Sequence, residues 1–145
     1  MLRRNICMSE KKRVGFMCVH NSCRSQMAEG FAKALGADVM DPVSGGTDTA
    51  SEVDPLAIAV MAEVSIDISG SMPKRLPPAV AYSLDLVVSM GCGPPDVCPY
   101  IPGIPNEDWG IEDPKGKGIE TYRRVRGIIR GKVVELVERL RSGRV

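Results

Sequence analysis

An apolar stretch, Arg13-Val14-Gly15-Phe16-Met17, gives way to the polar octapeptide Cys18-Val19-His20-Asn21-Ser22-Cys23-Arg24-Ser25, and a helical pattern over residues 25–35 follows without a break. Strand, tight loop and helix in that order open an α/β unit, and they set the loop's backbone N–H groups at a helix N-terminus. A cysteine in that ring of donors meets an environment that favours negative charge, both on an anionic ligand and on its own sulfur. Arg24, six positions after Cys18, can fold back and grip a tetrahedral oxyanion with its planar fork. Ser25 can donate a hydrogen bond to the thiolate, and Asn21 suits a strained turn because its carboxamide bonds to nearby backbone. The same residues also fit a plain turn with a packed cysteine, although burial alone calls for neither the arginine nor the serine. Cys23 reads as a small packed residue at the helix start. His20, the only histidine, reads as an exposed loop residue rather than a base.

Beyond the loop the pattern keeps alternating. The first helix carries Met27, Phe31 and Leu35 on one face and stops at Gly36. Residues 39–44 form a second strand, ended by Gly45-Gly46. Asp54-Pro55 starts another helix with proline at its first position, and its apolar stripe runs through Ala57, Val60, Met61 and Val64. Residues 69–81 are expected to hold a short helix interrupted by Pro73, Pro77 and Pro78. The continuous Leu86-Val87-Val88 marks a buried strand over 84–90, after which proline and glycine dominate residues 91–118. The last helix presents Val125, Ile128, Ile129, Val133, Leu136, Val137 and Leu140. Gly127 and Gly131 weaken it by roughly 1 kcal/mol each, for which close packing against the sheet is one explanation. Alternation of this kind argues for a parallel sheet covered on both faces, with its functional loops at the carboxyl ends of the strands. Cys18 ends the first strand and Cys92 lies just past the strand ending near Met90, so neighbouring strands would bring the two to one edge.

At 145 residues the chain is one domain, and 19 basic against 18 acidic side chains give no global pull toward nucleic acid or a lipid surface. No apolar run approaches the roughly 20 residues that span a bilayer. Met1-Leu2-Arg3-Arg4 lacks the apolar stretch of a secretory signal. The expectation is a cytoplasmic protein with no membrane and no nucleic-acid partner. Residues 1–12 read as a tail, with Met8 as an alternative start and Cys7 in a dispensable leader, ahead of a domain over 13–145.

Five cysteines suit a disulfide scaffold poorly, and in a reducing compartment they point to catalysis, redox work or metal binding. In Ser89-Met90-Gly91-Cys92-Gly93-Pro94-Pro95-Asp96-Val97-Cys98-Pro99, two cysteines six apart can close a disulfide if their Cα atoms approach to roughly 5.5 Å. Half a metal site, or two idle thiols, are the alternatives. Pro94-Pro95 disfavours a regular helix between them. Asp113, in Trp109-Gly110-Ile111-Glu112-Asp113-Pro114, is either a turn residue or a carboxyl group hung over the loop as a proton donor to a leaving oxygen.

Taken together, CVHNSCRSQMAEG, SMGCGPPDVCP and EDWGIEDPKG resemble the arsenate reductases built on the low-molecular-weight tyrosine phosphatase fold, a likeness that runs from residue 13 to the final helix. The loop alone fits the phosphatases equally. Cys92 and Cys98 tip the balance, as does Lys115-Gly116-Lys117-Gly118, where those phosphatases carry aromatic residues. The resemblance implies a single α/β domain with a four-stranded parallel sheet and helices on both faces. It implies a thiol relay in which Cys18 attacks arsenate held by the amides of Val19, His20, Asn21, Ser22, Cys23, Arg24 and Ser25 and by the Arg24 fork. Asp113 assists departing water, Cys92 and then Cys98 pass the disulfide outward, and thioredoxin reduces it. Phosphate and sulfate would mimic the substrate, weak phosphatase activity would accompany it, and the protein would be a monomer without a tightly bound cofactor. Some relatives use glutaredoxin or mycothiol instead. Some bind potassium near the loop asparagine, which corresponds here to Asn21, Glu29 and Asp67. The competing readings are a phosphoester phosphatase and a thiol-based redox or oxyanion sensor.

Overall fold

The computed structural model describes residues 11–91 and 101–143. The described elements follow in the order β1 (Lys12–Cys18), α1 (Arg24–Gly36), β2 (Met40–Gly46), α2 (Pro55–Ala62), α3 (Pro78–Ala81), β3 (Leu86–Ser89), β4 (Asn106–Asp108) and α4 (Ile119–Arg141). The sheet order is β2-β1-β3-β4 and every pairing is parallel. From β1 the chain moves outward to β2, then returns past β1 to build β3 and β4 on its other side. Strand order therefore reverses at β1, and the crevice for a ligand opens at that strand's carboxyl end. Cys18 is the last residue of β1.

Side-chain alternation along β1 divides the core in two. Val14, Phe16 and Cys18 share a cluster with Leu86 and Val88 of β3 and with the inner faces of α1, α2 and α4. Met17 faces the other way, with Leu84 and Val87, and Val43, Leu76, Ile101 and Ile104 close over them. Among the described residues, that second face is thus packed by the segment leading into α3 and by residues 101–104.

Several sequence expectations are corrected by tertiary context. Residues 69–77 hold no helix, and only Pro78–Ala81 turns helical, because prolines at 73 and 77 deny the segment consecutive N–H donors. The fourth strand, Asn106–Asp108, lies inside what reads as loop. Gly45 and Gly46 belong to β2 rather than ending it. Val64 falls beyond α2 and is 38% exposed, while Ile128 is 43% exposed on the outer side of α4. The buried stripe of α4 is Tyr122, Val125, Ile129, Val133, Leu136 and Val137.

Close packing does not account for Gly127 and Gly131. Both are exposed, and a Cβ at either would meet nothing within 4 Å. Gly127→Ala and Gly131→Ala are therefore each expected to stabilise the protein by about 1 kcal/mol, since alanine loses less backbone freedom on entering a helix. Urea melts check this, and a lower midpoint in either variant would contradict it.

Polar ties hold α4 and β4 in place around the crevice. Glu63, just past α2, takes hydrogen bonds from Arg123 and Arg126 of α4, at distances down to 2.7 Å. The bonds from Arg123, then those from Arg126, hold its carboxyl down to about 2. Glu107 of β4 accepts from Arg139 at 2.9 Å and from the Trp109 indole at 2.8 Å, and the Trp109 ring tilts over Phe16 at 5.7 Å. Trp109 N–H to Ser89 O (2.8 Å) and Ile111 N–H to Met90 O (3.0 Å) then carry the chain alongside β3 toward Asp113.

Candidate active site

The loop between β1 and α1 is shaped by where its carbonyl groups go. Val19 O accepts from Thr47 and Asp48 N–H, His20 O from Ala50, Ser22 O from Asp54, and Cys23 O from Met27. Asn21 O accepts from the Gln26 carboxamide at 3.1 Å. With these acceptors turned outward or into the helix, the N–H groups of His20, Ser22, Cys23, Arg24 and Ser25 have no acceptor among the described residues. The helix start has no side-chain cap to satisfy them either. Five open donors at a helix N-terminus form a cradle that favours an anion. His20 is exposed and braces the loop from outside: its Nδ1 donates to Asp48 O at 2.8 Å.

Asn21 is the keystone. It adopts φ 52°, a left-handed conformation that asparagine tolerates better than most residues, and it is fully buried. Its N–H donates to Cys18 Sγ at 3.2 Å, and its Nδ2 donates to Ser25 Oγ at 2.8 Å. Because Ser25 Oγ accepts that bond, its own hydrogen is free to point at Cys18 Sγ, 2.9 Å away. Glycine is required at position 46, where the end of β2 presses on the loop. A Cβ there would lie 2.6 Å from Val19 O and 3.0 Å from Asn21 N.

Arg24 spans the crevice. Its Nη1 donates to Met90 O (3.0 Å), Gly91 O (3.0 Å) and Ile111 O (2.8 Å), pinning the exit of β3 to the segment that leads to Asp113. These two segments cross so closely that a Cβ on Gly91 would stand 3.0 Å from Gly110 Cα, and Gly91 has φ 91°. No hydrogen-bond acceptor is held by the Nε–Nη2 edge of the guanidinium among the described residues, so that edge is free for a bidentate oxyanion. Asp113 Oδ2 lies 3.8 Å from Nη2, and its Oδ1 accepts from Lys115 N at 3.1 Å.

A small pocket gathers Cys18, His20, Ser22, Cys23, Arg24, Asp54, Asp113 and Lys115, with no Phe, Trp or Tyr on its wall among the described residues. The sequence reading brought most of these together but missed Asp54 and Lys115 as wall residues. Asp54 caps α2 through Leu56 N–H (2.9 Å) and accepts from the Tyr122 hydroxyl at 2.5 Å. Burial, then that hydrogen bond, pushes the Tyr122 phenol up. Burial, reinforced by the charges of Asp54 and Asp113, pushes the Cys23 thiol up as well. Cys23 is therefore held as a neutral packed thiol while its backbone N–H faces the pocket. Cys92 and Cys98 lie outside the described residues, and Gly91, which Arg24 holds, is the residue directly before Cys92.

The donor set named for potassium does not fit an alkali ion. Asn21 Oδ1 already accepts from Gln26 Nε2 and Lys74 N, both at 3.0 Å, which fills its two lone pairs. Glu29 is engaged by Ser44 Oγ, by Lys33 Nζ at 2.8 Å and by Lys74 Nζ at 3.8 Å. Asp67 turns instead to Ser69, whose N–H and hydroxyl bond its Oδ1 at 2.9 and 2.6 Å. The residue that reaches Glu29 and Asn21 together is Lys74, which no local pattern in the sequence marks.

Comparison with known proteins agrees with this geometry. The family model described as low molecular weight phosphotyrosine protein phosphatase matches residues 13–144. A glutaredoxin arsenate reductase of Synechocystis sp. is 44% identical over 133 residues, covering 89% of this chain and 98% of its own. A solved arsenate reductase in the phosphate binding state superposes with TM-score 0.76 at 43% identity, over 89% of this chain and 98% of its own. A Corynebacterium glutamicum thioredoxin-dependent arsenate reductase superposes with TM-score 0.76 at 31% identity, over 97% of this chain and 67% of its own.

Proposed function

The chain belongs to the low molecular weight phosphotyrosine protein phosphatase family, and on that premise we propose that it is an arsenate reductase working through a cysteine relay. The observation that carries this reading is the set of five open N–H donors around Cys18, closed on one side by the free edge of Arg24. Arsenate is the substrate, and phosphate and sulfate occupy the same donors. Cys18 Sγ attacks the arsenic, forming an S–As bond, and an oxygen leaves as water with the proton that Asp113 supplies. The Cys92 thiolate then attacks the Cys18 sulfur. An S–S bond forms, the S–As bond breaks, and its electron pair stays on arsenic, which departs as arsenite. Two thiols have lost two electrons and arsenic has gained them. Cys98 next attacks Cys92, returning Cys18 to its free form and leaving a Cys92–Cys98 disulfide for an external dithiol to reduce.

The wall of the pocket favours this over an aryl phosphatase. Lys115 lines the pocket and no Phe, Trp or Tyr does among the described residues, which favours a small inorganic anion over an aryl phosphoester. Weak phosphoester hydrolysis is a side reaction, since phosphorus fits the donors but accepts no electrons. A cytoplasmic monomer suits a relay whose thiols must stay reduced between turnovers.

Arsenate-dependent oxidation of NADPH tests the proposal, with thioredoxin and its reductase in one arm and glutaredoxin, glutathione and glutathione reductase in the other. Thioredoxin is the expected donor. The glutaredoxin arm matters because one relative bears that name. Turnover in neither arm, alongside rapid hydrolysis of an aryl phosphate, would replace the reading with that of a phosphatase.

A further inference from the structure

Glu29 lies on the buried side of α1 beneath the anion loop, with its side chain only 11% exposed, and this chain supplies its counter-charges. Lys33 Nζ sits 2.8 Å from one carboxylate oxygen. Lys74 Nζ sits 3.8 Å from the other and 3.4 Å from Ser44 Oγ, whose hydroxyl donates to that same oxygen. A carboxylate so enclosed requires compensating positive charge.

Lys74 also grips the site with its backbone. Its N–H donates to Asn21 Oδ1 at 3.0 Å, and its carbonyl accepts from Gly46 N–H at 2.9 Å. It thus ties the loop residue that addresses Cys18 to the strand end that presses on the loop. An alkali ion among Asn21, Glu29 and Ser44 would have to displace an N–H donor from Asn21. It would also sit against an ammonium already within 4 Å of the same carboxylate.

We propose that Lys74 is a built-in cation that takes the place of a monovalent metal ion beneath the anion loop, so that the loop keeps its shape without bound potassium. Lys74 touches no reacting atom. It is a positioning residue acting through Glu29 and Asn21, and its effect is independent of the chemistry that follows at Cys18.

Thermal unfolding of the full-length protein in potassium chloride against choline chloride, at matched ionic strength, tests this without any arsenate turnover. The parent is expected to melt within about 1 °C in the two salts, because a ligand that does not bind the native state does not raise Tm. Lys74→Gln keeps the backbone N–H but removes the charge. It is expected to melt about 3 °C higher in potassium chloride than in choline chloride, and Lys74→Arg to be indifferent again. Inorganic phosphate, titrated calorimetrically, should bind Lys74→Gln several-fold more tightly with potassium present and bind the parent equally in both salts. A parent selectively stabilised by potassium overturns the proposal, as does a folded Lys74→Gln that ignores potassium. Should Lys74→Gln fold only in potassium chloride, the proposal stands. Should it fold in neither salt, the parent's response alone decides.

Discussion

Cys18→Ser is expected to abolish arsenate reduction, with a loss of about four orders of magnitude or more in kcat, while phosphate binding changes by no more than about threefold. The expectation follows from what the substitution leaves in place. Asn21 N–H, the Ser25 hydroxyl and the five open amide donors are supplied by other residues, and a serine side chain fits the same buried position at the end of β1. What disappears is a nucleophile able to bond arsenic and then yield a disulfide. Calorimetric titration with phosphate and the NADPH-coupled assay separate these two properties. Cys92→Ser makes a sharper companion: it should stop reduction as completely, yet leave phosphoester hydrolysis standing, because hydrolysis never calls on a second thiol. Retention of full arsenate turnover by Cys92→Ser would remove the internal relay from the mechanism.

The second large effect belongs to Arg24→Lys. We expect kcat/KM for arsenate to fall about 10²- to 10³-fold and the folded state to lose about 2 kcal/mol. A lysine keeps the charge but not the fork, and one side chain then cannot serve two clients. In the parent, Nη1 satisfies the carbonyls of Met90, Gly91 and Ile111 while the opposite edge stays open to the oxyanion. A compact ammonium that turns to the carbonyls deserts the anion, and one that turns to the anion leaves buried carbonyls unpaired. Steady-state kinetics and urea melts on the same preparation give both numbers. Activity within tenfold of the parent would show that the amide donors hold the oxyanion without the guanidinium.

How much of this was legible beforehand depended on the range over which each feature is determined. The shape of the loop was readable because it is set locally: eight consecutive residues carry the cysteine, the turn-forming asparagine, the guanidinium and the hydroxyl that meet there. The parallel sheet was readable from alternation alone, and β1 does lie between β2 and β3. Strand β4 was not, since three residues reading Asn-Glu-Asp, mostly exposed, carry no apolar signature and become a strand only by pairing with β3. Val64 and Ile128 looked like core because periodicity marks a face without saying where a helix ends or how wide its contact is. The surroundings of Glu29 were hidden for a related reason. Asn21, Glu29 and Asp67 were grouped only by resemblance, which does not say which cation meets them in space. The residue that meets Glu29 and Asn21 in space lies in a proline-rich stretch after residue 69, where the sequence led us to expect a broken helix.

The contrast between the two sulfurs of the loop has a consequence for reliability under stress. Cys18 and Cys23 open onto one pocket, and a chain with two equally eager thiols there could short-circuit, locking itself into a loop-internal bridge after the first encounter with an oxidant. Burial and the charges of Asp54 and Asp113 push the Cys23 thiol up, which disfavours the thiolate such a bridge would need. Gly91, which Arg24 holds, leads directly into Cys92, so under the proposed relay the oxidising equivalents pass from Cys18 to that residue rather than to its neighbour in the loop.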